Sequence, residues 1–175
     1  MNPLEAVIFA IELVSSISLG ILSIKLLRLQ KLLGGSLDAP AGFALLALSQ
    51  LSGALSIVGQ GRLSYTLYVA TGALAAAGFA SLQARPRRPP RGTLVVAPIV
   101  LPFLADTAAF LVSGAAARRF RGPARVLVAL SAVSYALRAA GLLLIPSQIG
   151  IVAFITGEAS RAITLTALSL LYMPR

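Results

Sequence analysis

The sequence predicts an all-α integral membrane protein with about six transmembrane helices in a single domain, 1–175. Hydrophobic residues make up 58% of the chain and charged residues 11%. Mean hydropathy is +0.91, outside the range of soluble globular domains. The apolar residues also fall in runs of roughly 20, the length that crosses a bilayer as a helix. A multi-pass location in the cell membrane follows, with no soluble domain left over.

The first predicted helix runs from Pro3 to Ile24 and continues into a basic amphipathic stretch, KLLRLQKLLGG, in which Lys25, Arg28 and Lys31 recur at helical spacing. Such a stretch suits the membrane surface. The N-terminus lacks the basic leader and small-residue cleavage site of a secretory signal, so it is expected to stay as a helix. Glu12, Ser15 and Ser16 form a polar patch that should face protein or water, not lipid.

The second helix, Pro40 to Val58, carries Ser49, Ser52, Gly53 and Ser56 as a narrow polar stripe. Small residues and hydroxyls in such a stripe serve either close helix packing or a substrate-facing surface, and packing is the commoner use. The third helix, Leu63 to Leu82, contains YVATGALAAAGFAS, which predicts a tightly packed span. A Pro-rich loop at 85–92 follows, with Arg85, Arg87, Arg88 and Arg91.

The fourth helix, Thr93 to Ala117, holds Pro98 and Pro102 with Asp106 one turn later. Prolines free backbone carbonyls, so a kink is expected there. A second basic loop supplies Arg118, Arg119, Arg121 and Arg125. The fifth helix, Val126 to Ile145, presents Ser131, Ser134, Tyr135 and Arg138 on one face, and the sixth, Ile151 to Leu171, carries Glu158 and Arg161 mid-span.

The halves echo one another. ALSQLSGALS at 47–56 aligns with ALSAVSYALR at 129–138, and Thr71-Gly72 with Thr156-Gly157. This suggests a 3+3 internal repeat of 1–84 and 93–175, an arrangement that transporters often adopt with the substrate at the repeat interface.

Orientation does not resolve from this pattern. Six alternating spans place Lys25, Arg28, Lys31, Arg85, Arg87, Arg88 and Arg91 on one side, and Arg62, Arg118, Arg119, Arg121, Arg125 and Arg175 on the other. Seven against six gives the positive-inside rule little to act on. Six alternating spans are the preferred reading. A re-entrant fourth helix is the competing one and would bring both arginine loops to one face.

Functional expectations centre on the intramembrane charges. Ionised groups at bilayer depth are costly and line bundle interiors or polar pathways, so Glu12, Asp106, Arg138, Glu158 and Arg161 are the candidate substrate- or ion-binding residues. If Glu158 pairs with Arg161 and another acid with Arg138, one carboxyl, Glu12 or Asp106, is left to exchange a proton or cation, while an arginine holds an anionic group. A small transporter or channel-like protein is the leading reading. The alternative is a non-catalytic membrane subunit that docks partners through its helix faces and arginine loops.

Those loops, Arg85–Arg91 and Arg118–Arg125, are expected to meet anionic lipid headgroups or a partner, whether a second copy or another subunit of a membrane complex. Nucleic acid is disfavoured, because the clusters are short and only Phe120 interleaves them. Enzymatic chemistry is not expected either. Without Cys or His there is no thiol nucleophile, imidazole base or soft-metal site, and no GxSxG occurs. GQGR at 59–62 and KLLGGS at 31–36 lack phosphate-loop spacing. No cofactor or metal is predicted.

Overall fold

A computed structural model describes residues 1–33, 36–83, 102–145 and 147–173. The described residues form six α-helices and no strands: α1 (Pro3–Leu33), α2 (Asp38–Val58), α3 (Gly61–Gln83), α4 (Pro102–Ala117), α5 (Gly122–Leu144) and α6 (Gln148–Leu171). Five of them, all but α4, are long and apolar enough to cross a membrane. The protein is an all-α membrane protein. The Arg85–Arg91 loop, Pro98 and the expected first turns of the fourth helix lie outside the described residues.

Local chemistry sets the helix ends. At the start of α1, Asn2 Oδ1 accepts from the Glu5 backbone N–H at 2.8 Å while Glu5 Oε2 accepts from Asn2 N at 2.7 Å. This reciprocal pair satisfies two otherwise unpaired donors. The basic amphipathic stretch is continuous with α1, not a separate helix. Gly61 and Gly122 open α3 and α5 with φ of +55° and +57°, values at which a Cβ is strained. Ser147 caps α6 by accepting from Gly150 N at 3.1 Å.

The helices form a ring in chain order, each packed on the next, and α1 closes on α6. Large apolar side chains such as Val7, Val14, Ile17, Val133 and Ile163 are exposed on the outside, where lipid tails are as apolar as they are. Glycines let the helices approach. A Cβ at Gly78 would lie 3.0 Å from the Gly42 carbonyl oxygen, and one at Gly141 would lie 2.7 Å from Phe154 N. The polar stripes serve this packing. Ser49 and Ser52 donate to the Thr71 and Leu67 carbonyls of α3, both at 2.7 Å. Ser131 meets Thr164 of α6 at 2.9 Å, Ser134 bonds Leu130 O in its own helix, and Ser56 likewise bonds Gly53 O.

The alternation assumed for six spans fails between α3 and α4, which run parallel. Tyr68 and Gly72 of α3 meet Asp106 and Ala105 of α4. Further along both helices, Gln83 Nε2 donates to Val112 O at 2.7 Å and Arg119 Nη1 donates to Gln83 O at 2.6 Å. Therefore α3 and α4 end at the same end of the bundle, and α4 begins within it, about one turn before Asp106. Arg118, Arg119, Arg121 and Arg125 consequently share an end with Lys25, Arg28 and Lys31, where the alternating reading had separated them. Arg62 is the one described basic residue at the other end. The physical reason is that partner choice follows side-chain contacts, which a count of apolar runs does not contain.

Candidate functional site

The five intramembrane charges predicted from sequence meet in one network. Their side chains come from four helices: Glu12 from α1, Asp106 from α4, Arg138 from α5, and Glu158 and Arg161 from α6. Glu12, Arg138 and Arg161 are 0% exposed, Asp106 1% and Glu158 7%. Arg161 Nη2 pairs with Glu12 Oε1 and, at 2.6 Å, with Glu158 Oε2. Arg138 Nη1 lies 3.3 Å from Glu158 Oε1, and Arg138 Nε lies 3.3 Å from Asp106 Oδ2. Charges therefore alternate along the chain Glu12, Arg161, Glu158, Arg138, Asp106.

Glu158 is the shared link, because both guanidiniums bind it. The expectation that one carboxyl would stand without an arginine is corrected here: Glu12 and Asp106 each have one. Glu12 and Glu158 thus share a single Arg161 nitrogen. Three carboxyls still face two guanidiniums. The ionised network carries one formal negative charge, which a single proton would cancel.

Aromatic and glycine residues complete the site, and sequence reading had not placed them in it. The Tyr68 hydroxyl donates to Asp106 Oδ2 at 2.5 Å and accepts from Arg138 Nε at 3.3 Å. Its ring also lies 4.6 Å from the Arg138 guanidinium. Tyr135, read only as part of a polar stripe, is buried with the Arg138 and Arg161 guanidinium carbons 5.8 and 6.0 Å from its ring. Cations at such range are attracted by the ring quadrupole. The signal for Tyr68 was its position one turn before Thr71 and Gly72, on the buried face of α3.

Two glycines make room for the arginines. A Cβ at Gly53 of α2 would lie 2.7 Å from Arg161 Nη2 and 2.9 Å from both Glu12 carboxylate oxygens. One at Gly157 would lie 2.8 Å from Arg138 Cγ. Among the described residues, Asp106 Oδ1, Arg138 Nη2, Arg161 Nε and Nη1 and the Gln50 amide are buried without a hydrogen-bond partner. Buried groups of this kind normally bind water or ligand.

A cavity of 740 Å³ connects the network to one end of the bundle. Its mouth lies where α1, α3 and α6 begin and α2 and α5 end, with Glu5 and Tyr65 on the rim. Its inner wall includes Phe154, Ile155, Tyr68 and Glu158. Glu158 is thus the acid of the network that reaches the cavity, and neither Arg138 nor Arg161 lines it. Glu12 and Asp106, the expected exchanging acids, sit behind. At 1.5 Å per residue, Glu158 lies about 15 Å from the start of α6, near the middle of a bilayer of about 30 Å.

Fold and site together define a polytopic α-helical membrane protein with a buried charge network open to a vestibule at one end. Comparison with protein families, characterised proteins and solved structures found no match.

Proposed function

We propose that this chain is a small membrane transporter or channel-like protein whose carboxyl–guanidinium network binds and releases a proton or cation arriving through the vestibule. The observation that carries the reading is Glu158, which belongs to the vestibule wall and to both arginine pairs. Buried ionisable residues beside a polar cavity mark ion pathways and proton relays in membrane proteins. The surplus negative charge gives the site two states, ionised and singly protonated or cation-bound. Glu12 and Glu158 share Arg161 Nη2, and one proton on either carboxyl balances the network. No covalent chemistry is assigned to the site.

Orientation follows from charge. Lys25, Arg28, Lys31, Arg118, Arg119, Arg121 and Arg125 are exposed at one end, against Arg62 at the other. By the positive-inside rule the basic end faces the cytoplasm, in contact with anionic headgroups, and the vestibule opens outward.

The test is proton flux in liposomes under a potassium diffusion potential, read with a trapped pH dye. Wild-type vesicles are expected to acidify several-fold faster than protein-free ones, and Glu158→Gln is expected to remove the difference. Wild-type vesicles indistinguishable from empty ones under either sign of potential would contradict the reading.

A second reading, a membrane subunit without transport, is favoured by one feature. An apolar groove of 420 Å³ between α1 and α6, lined by Ala10, Ile11, Val14, Ile163, Ala167 and Leu170, faces outward and would accept a partner helix. Gentle purification that returns a monodisperse species containing this chain alone counts against it.

A further inference from the structure

We infer that the vestibule binds an apolar organic monocation, a ligand class that deepens the transporter reading and rests on it. At 740 Å³ the cavity is of the size that holds drug-sized ligands. The charged residues among those lining it are Glu5 and Glu158, both acidic. Glu5, held by Asn2 N at the helix cap, sits at the mouth, and Glu158, the one residue of the network that lines the cavity, sits at its inner end, where the network's surplus negative charge is met.

The remaining wall is mostly aromatic and aliphatic, with the polar Asn2, Ser56 and Ser64 among its residues. Tyr65 lies at the mouth, half exposed, and Phe154 and Tyr68 lie deeper with ring centroids 5.7 Å apart. One carboxylate beneath aromatic rings is the chemistry that recognises quaternary ammonium and similar cations through the ring quadrupole.

Other ligand classes fit less well. A dehydrated metal cation needs several oxygen ligands, and among the described residues no group of three or more acidic, His or Cys side chains is placed to hold a metal ion. An anion would meet two carboxylates and no lining guanidinium. A neutral apolar molecule would displace solvent from the carboxylates and leave the surplus charge uncompensated.

The probe pair is tetraphenylphosphonium and tetraphenylborate, which match in shape and apolar surface and differ in sign. Equilibrium dialysis on the detergent-purified chain is expected to give saturable binding of the phosphonium, and for the borate only the partitioning of empty micelles. Glu158→Gln should abolish the saturable component. Tyr65→Leu alters a half-exposed rim residue outside the network and should weaken phosphonium binding about three- to tenfold at an unchanged melting temperature. Equal binding of the two ions would overturn the inference, as would unchanged affinity in both Tyr65→Leu and Phe154→Leu. Dialysis requires no turnover, so the two ideas separate: phosphonium binding without proton flux keeps this inference and removes transport, whereas flux without phosphonium binding overturns this inference alone.

Discussion

At the scale of single residues, the arrangement depends on atoms that are missing. The Arg161 guanidinium reaches Glu12 because Gly53 of α2 presents no side chain at the crossing. Gly53→Ala would place its Cβ 2.7 Å from Arg161 Nη2 and force the guanidinium or the helix aside. Overpacking of this kind costs about 1–3 kcal/mol. The expected result is a clear drop in melting temperature, together with slower proton flux. Gly20→Ala is the matched control, since a Cβ there would meet no neighbour within 4 Å, and replacing a helical glycine should stabilise by about 0.5–1 kcal/mol. Equal melting temperatures for the two variants would show that Gly53 is not needed as space.

At the scale of elements, α6 supplies the charges that tie the ring together. Removing one partner of a buried pair leaves an uncompensated ion and costs about 3–5 kcal/mol, so Arg161→Ala should be among the most destabilising single changes. The paired change Glu158→Ala with Arg161→Ala does not repair this, because Glu12 then has no base. Adding Glu12→Ala leaves only Arg138 with Asp106, a neutral pair. Thermal unfolding in detergent should therefore rank the triple variant above the double. The reverse order would mean that Glu12 does not depend on Arg161.

Much of this was legible in the sequence. Apolar runs gave the helices, and ionisable residues inside them are so costly that Glu12, Asp106, Arg138, Glu158 and Arg161 identified themselves as one group. The partners of Tyr68 and the spacing role of Gly53 were not legible, because each depends on which helix lies opposite; the sequence showed only that Tyr68 shares a face with Thr71 and Gly72. The suggested repeat illustrates the same limit. Its aligned glycines face different neighbours, Gly72 meeting Ala105 of α4 and Gly157 meeting Arg138 and Ser134 of α5. The polar stripes were read in the commoner sense, as packing, and their hydroxyls bond neighbouring helices or their own backbone.

At the scale of the molecule, the parallel course of α3 and α4 collects basic residues at one end and leaves the vestibule at the other. That asymmetry was hidden while strict alternation was assumed, since Arg118 to Arg125 then cancelled Lys25 to Lys31. The chain has no native cysteine, so each introduced one reports alone. Cysteine at Ser36 and at Arg121 should react with a membrane-impermeant thiol reagent from one face of oriented vesicles, and cysteine at Gln60 from the opposite face. The most direct measurement is made on Ile155→Cys in the vestibule wall. Labelling from the Gln60 face only, slowed when tetraphenylphosphonium is present, is the predicted result; labelling from the Arg121 face, or from neither face, would contradict a vestibule that leads from the outside to the buried charges.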